Sequence, residues 1–223
     1  MITNEIFCRV FRIRYKGKCG TCFTVDKEDI QYIVTAKHLF NGVKQRDTVV
    51  VEVLIEKTYV PLTATVTFHN DDNVDCAVLK TNPYHEITGK YLNENTINGI
   101  TFGQDVYFLG FPYNYDDLLM CFPNSTTPVP FIKKACFSGL SGDGRLLFLD
   151  GINNPGFSGG PVCFKDSKTN KYKIAGLVNS YRYNKNPVYS DSGIATNLYV
   201  EENTGIIYAC SIQEALTIID CIN

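Results

Sequence analysis

Histidine is scarce in this chain: it occurs at His38, His69 and His85 and nowhere beyond. An excess of one charge is missing too, since 21 Lys and Arg nearly balance 23 Asp and Glu for a net charge of −2. Such a balance supplies no basic face for nucleic acid and no pull toward an acidic membrane surface. Long apolar runs are absent, and no segment approaches the roughly 18 residues needed to span a bilayer. The first ten residues, interrupted by Glu5 and Arg9, lack an apolar stretch of signal-peptide length. These absences predict a soluble cytoplasmic protein with neither nucleic acid nor membrane as a partner.

Cysteine is plentiful, but its pattern excludes more than it offers. Nine cysteines form an odd set without regular spacing, which predicts reduced thiols rather than a disulfide framework. Cys19-Gly20-Thr21-Cys22 is a C-x-x-C pair with no second pair to complete a zinc site. Positions three apart on a strand also point to opposite faces. No metal or other cofactor is expected.

What the chain has in quantity is strand-forming sequence: 14 Tyr and 14 Phe in 223 residues that are 44% hydrophobic. The length suits one large all-β unit or two barrels sharing an interface. Strand-like runs fall at about 5–15, 20–26, 31–36, 49–56, 59–68 and 75–80. A second set falls at about 104–110, 132–138, 145–149, 161–165, 172–180 and 193–200, with 206–210 as a further strand. Residues 81–100, rich in Asn, Pro and Gly, read as a connector. The expected division is 1–90 for a first barrel and 91–223 for a second barrel plus helix. That helix is announced by Ser211-Ile212-Gln213-Glu214, a capping box before an apolar-periodic run through Ile222.

The segment Asn154-Pro155-Gly156-Phe157-Ser158-Gly159-Gly160-Pro161 places a serine in a glycine-flanked turn. Such a turn can aim a hydroxyl into a cleft and leave backbone N–H groups free for an oxyanion. Gly156-Phe157-Ser158-Gly159-Gly160 also fits the nucleophile elbow of α/β-hydrolases, but those require a histidine after the serine, and none follows Ser158. An aspartate before His38, as in subtilisin-type order, would have to come from the charged turn at Asp26 and Asp29. The order His, Asp, Ser fits best. His38 closes the strand-like Gln31-Tyr32-Ile33-Val34-Thr35-Ala36-Lys37-His38. Asp75 precedes the apolar Cys76-Ala77-Val78-Leu79, where a carboxylate can accept the imidazole Nδ1–H and leave Nε2 as base. Asp71 and Asp72 compete with Asp75 but read as a solvated turn. Cys136 and Cys163 compete as nucleophiles but lack flanking glycines. His69 and His85 are read as structural.

Thr35-Ala36-Lys37-His38, Asp75-Cys76-Ala77-Val78-Leu79 and Gly156-Phe157-Ser158-Gly159-Gly160-Pro161 resemble the three signature blocks of trypsin-like serine proteases. The stretch Asp150–Ser158 resembles the oxyanion-loop block of HtrA-type and related bacterial trypsin-like peptidases. The resemblance implies an all-β fold of two six-stranded antiparallel β-barrels, chymotrypsin-like, with a C-terminal α-helix. It leaves no room after Pro161 for the PDZ domain of HtrA proteases. It implies Ser158 as nucleophile, His38 as general acid and base, Asp75 as its orienting carboxylate, and the N–H groups of Gly156 and Ser158 as oxyanion hole. It places the primary specificity pocket at Ile152, with a wall at Leu177 and Asn179. Isoleucine at the pocket base implies cleavage after small or medium apolar residues.

One departure is informative. In trypsins a freshly cut N-terminus pairs with an aspartate just before the serine; here that position is Phe157 and no Ile-Val-Gly-Gly start exists. The expected substrate is protein or peptide. A partner or substrate is expected to order the loop, and a regulatory protein partner in a larger complex is expected to restrain the enzyme. Two readings remain: a serine endopeptidase, or a catalytically quiet trypsin-like module used for binding. The loop from Tyr113 to Pro130, with Asp116-Asp117-Leu118-Leu119-Met120, is long for a β-connection and is read as a lid or partner site.

Overall fold

The computed structural model describes residues 2–89, 94–114 and 128–222. Six strands build a first closed barrel: β1 (Val10–Tyr15), β2 (Lys18–Lys27), β3 (Ile30–Thr35), β4 (Thr48–Ile55), β5 (Thr58–Phe68) and β6 (Ala77–Thr81). They are arranged in the order β1-β2-β3-β6-β5-β4. Six more build a second: β7 (Asp105–Gly110), β8 (Phe131–Leu140), β9 (Leu146–Asp150), β10 (Pro161–Lys165), β11 (Tyr172–Tyr189) and β12 (Ala195–Ser211), ordered β10-β11-β12-β9-β8-β7. Neighbouring strands pair antiparallel, so full closure leaves neither barrel with an open edge. The chain ends in helix α2 (Ile212–Ile222). This is the all-β, chymotrypsin-like arrangement that the motifs implied.

The strands form because their apolar residues recur every second position. In β4, Val49, Val51 and Val53 are buried while Thr48, Val50 and Glu52 are exposed. Each barrel has its own core, one around Ile13, Val51 and Leu79, the other around Phe108, Leu147 and Phe164. A third core lies between the barrels, where Val34, Val74 and Cys76 meet Leu109, Cys163 and Leu177. Helix α2 buries Ile212, Ala215, Ile218 and Ile219 on that seam, a helical stripe on one face. Fully burying side chains of this size is worth about 1.5–3 kcal/mol each, so the seam holds the two barrels as one unit. Among the described residues no helix is long and apolar enough to cross a membrane.

Two stretches differ from expectation. The run expected to start as strand at residue 5 opens instead as a short helix, α1 (Asn4–Phe7), with fully buried Ile6 in the seam. The runs at 172–180, 193–200 and 206–210 belong to a single long hairpin, β11–β12, which extends well past the barrel. In its outer part Asn184 pairs with Glu202, Lys185 with Glu201 and Asn186 with Val200. That ribbon is solvated on both faces, so no apolar alternation marks it in the sequence. Most of the loop Tyr113–Pro130, including Asp116–Met120, lies outside the described residues.

Candidate active site

His38 sits in a single 3-10 turn, Lys37–Phe40, directly after β3. Leu39 and Phe40 are buried beneath it, which anchors the turn and leaves the imidazole half exposed at 48%. Asp75 lies between buried Val74 and Cys76 just ahead of β6, an alternation that turns its carboxylate outward. Its two oxygens hold His38 at two points. Oδ2 is 2.7 Å from Nδ1, and Oδ1 accepts the His38 backbone N–H at 2.8 Å. A carboxylate placed there fixes the proton on Nδ1 and leaves Nε2 as the lone-pair nitrogen.

Ser158 stands in the turn between β9 and β10. The turn is closed by Gly160 N–H to the Phe157 carbonyl at 2.8 Å, and tied to β11 by Gly159 N–H to the Val178 carbonyl at 2.7 Å. Gly156 has φ of +103°, and a Cβ there would collide with the carbonyl of Phe111, so only glycine fits. The Pro155 carbonyl accepts Tyr113 N–H at 2.9 Å. Across a planar trans peptide this directs the Gly156 N–H the opposite way. Among the described residues, neither Gly156 N–H nor Ser158 N–H has a hydrogen-bond acceptor. Two unpaired donors flanking a serine are suited to a developing oxyanion.

The Ser158 hydroxyl itself donates to the Asn179 carbonyl at 3.1 Å and makes no hydrogen bond to His38. Asn179 is buried, and its Oδ1 accepts Cys210 N–H at 3.3 Å. Leu177 is fully buried in the seam between the barrels, whereas Ile152 is 57% exposed. Of the three residues expected at the specificity pocket, Ile152 alone offers its side chain to solvent. The backbone of Asn179, rather than its amide, faces Ser158.

The competing residues are engaged elsewhere. Asp71 pairs with Arg145 at 2.6 Å, and the Asn73 N–H followed by that guanidinium hold its carboxyl below the ordinary range. Asp72 pairs with Lys37. Cys163 is fully buried, and desolvation pushes its thiol far above the ordinary 9.0. That leaves no thiolate to attack. His69 places Nε2 3.1 Å from Glu214 while its Nδ1 accepts Asp71 N–H at 3.0 Å.

Residues 20–169 match the sequence profile of the trypsin-like peptidase domain. The chain belongs to the trypsin-like peptidase family. Solved structures similar to this trypsin-like peptidase include a serine endoprotease from Yersinia pestis, at 17% identity and a TM-score of 0.60 over 97% of this chain. The HtrA-type protease AlgW with a tripeptide matches at 17% identity and 0.59 over 98%. A protease from M. tuberculosis in its active form matches at 16% identity and 0.56 over 96% of this chain and 81% of its own. The chain spans 63% of the Yersinia chain and 61% of the AlgW chain. At these identities the likeness is one of fold. Among curated proteins, none matches the chain in sequence.

Sequence reasoning missed the residues that stitch the barrels together at the site. Thr21 on β2 is fully buried. Its N–H donates to the Ser158 carbonyl at 2.9 Å, its hydroxyl donates to the Gly156 carbonyl at 2.7 Å, and Thr21 Oγ1 accepts Phe111 N–H at 3.0 Å. Phe157 is buried at 1% exposure, edge-on to Phe108 with ring centroids 5.0 Å apart. The position held by a charged switch in trypsins is here a core side chain, and the contacts that hold it come from within the chain.

Proposed function

We propose that this trypsin-like peptidase is a serine endopeptidase acting through Ser158, His38 and Asp75. The observation that carries the reading is the two-point hold of Asp75 on His38. It lies in a half-exposed turn, and it prepares Nε2 to accept a proton. In the cycle the Ser158 hydroxyl turns from the Asn179 carbonyl to His38. Its oxygen attacks the scissile carbonyl carbon while its proton passes to Nε2. The oxyanion takes the N–H groups of Gly156 and Ser158. Collapse breaks the C–N bond, and the leaving amine takes the proton back from Nε2. A water, deprotonated by the same nitrogen, then hydrolyses the acyl-enzyme.

Exposed Ile152 at the expected pocket base, with no carboxylate in its place, supports cleavage after small or medium apolar residues. A regulatory protein partner and a cytoplasmic setting complete the proposal; buried Phe157 closes off the N-terminal insertion route to control. One observation favours the quiet binding module instead: the Ser158 hydroxyl rests on a backbone carbonyl rather than on His38. Labelling with a fluorophosphonate probe separates the two. The wild-type chain should label at Ser158, Ser158→Ala should not, and turnover of a peptide ester should fall by a factor on the order of 10⁶ in the variant. A wild-type chain that never labels belongs to the binding module.

A further inference from the structure

Lys133 is an unusual cation. It lies on β8 opposite Phe108 in the β7 register, half-buried, with its ammonium 2.8 Å from Asn154 Oδ1. The same ammonium stands 5.9 Å from the centroid of Phe157 and 6.0 Å from that of Phe108. Among the described residues no carboxylate lies within ion-pair distance of it, and its partners there are a neutral amide and two aromatic faces. Burial draws its pKa below the ordinary 10.5, as expected for an ammonium held without a counter-charge.

Two of these partners, Asn154 and Phe157, belong to the segment that sets the oxyanion donors, and the third, Phe108, lies on β7. Asn154 gives its carbonyl oxygen to Lys133 and its amide to the Tyr113 hydroxyl at 2.6 Å. An ammonium can only donate, so it fixes which way the Asn154 amide faces. Tyr113, in turn, holds the Pro155 carbonyl through its own N–H, the bond that orients the Gly156 N–H. Phe157, on the other side of Gly156, is the ring under the ammonium. We infer that Lys133 is the positioning residue for the oxyanion loop, fixing Asn154 through a charge-assisted hydrogen bond and Phe157 through its ring face. The role rests on the serine-peptidase reading but is built from contacts that exist without substrate.

The test compares wild type with Lys133→Met, Lys133→Arg and Asn154→Ala, using a fluorophosphonate probe and hydrogen exchange across residues 151–160. Lys133→Met keeps the chain's bulk and removes the charge and the donor. It should slow the first-order labelling step about 10- to 100-fold, less than the 10²–10³ lost with an outright oxyanion donor. Affinity for the probe should hold, and exchange across the loop should quicken. Lys133→Arg, which restores cation and donor, should return both readouts close to wild type. Asn154→Ala should mimic Lys133→Met, and the double variant should be no slower than the slower single, because the two act on one contact. Should Lys133→Met fail to fold, Asn154→Ala and Lys133→Arg carry the comparison. Unchanged labelling and exchange in Asn154→Ala or Lys133→Met, or additive single effects, would overturn the inference. If the wild-type chain does not label at all, the peptidase reading fails, and loop exchange alone still decides the role of Lys133.

Discussion

Two histidines in this molecule face carboxylates across the gap between elements, and they illustrate opposite uses of one pairing. His38 meets Asp75 in an open turn, 48% and 27% exposed, and among the described residues only its Nδ1 is engaged. His69 meets Glu214 of α2 at 10% and 11% exposure, with both nitrogens engaged, since Nδ1 accepts Asp71 N–H. Arg145 completes that cluster 3.8 Å from Glu214. A histidine with both nitrogens spent is a fastener between loop and helix. A histidine with one nitrogen held and one free is a base in waiting. The pairing alone does not define a site; the unspent nitrogen does.

The contrast can be broken most forcefully at the imidazole. His38→Ala should lower turnover by a factor on the order of 10⁶, as triad knockouts do, and leave thermal stability nearly unchanged; equal rates for variant and wild type would erase the distinction. At the carboxylates, Asp75→Asn should cost on the order of 10⁴ in turnover by fixing the wrong tautomer. Glu214→Gln should leave turnover unaltered, and a large loss there would show that the buried pair also serves catalysis. His69→Ala should reverse the pattern, lowering stability by about 1–3 kcal/mol through unpaired buried groups, read as a lower unfolding midpoint in urea with activity retained.

The smallest effect comes from a third pair that serves structure only. Lys173 on β11 meets Asp166, directly after β10, at 2.7 Å. The Lys173 ammonium first, then the Lys168 N–H, draw the Asp166 carboxyl from 3.8 down to about 2. A carboxyl with a folded pKa below its unfolded one adds stability above the unfolded value, lost as pH falls through the folded one. Wild type should therefore lose thermal stability between about pH 3.8 and 2, and Asp166→Asn should show a shallower fall over that window. Parallel acid curves for the two proteins would remove Asp166 from the account.

Much of the site was legible because its chemistry is local. Ser158 is marked by its glycines, His38 by the strand it closes, and Asp75 by the apolar residues behind it, each within a few positions. The run at 193–200 was read as a strand, but the outer part of β11 and the continuity of the β11–β12 ribbon were not legible, because a two-stranded element wet on both faces carries no apolar period. The resemblance implied Leu177 as a pocket wall, yet its side chain points into the seam. Thr21 and Lys133 left no local mark at all, since their meaning lies in partners 135 and 21 residues away, Gly156 and Asn154.

By itself the sequence determined the all-β class through its strand period. Its motif blocks carried the resemblance that implied the family and the two barrels, and residue order and turn chemistry offered His38, Asp75 and Ser158 as candidates. Only the tertiary structure decided which histidine keeps a free nitrogen, where the Ser158 hydroxyl rests and how an aromatic ring took the place of a charged switch. Those are properties of contacts made across a closed barrel or between two of them. They exist once distant segments are brought within a hydrogen bond of each other.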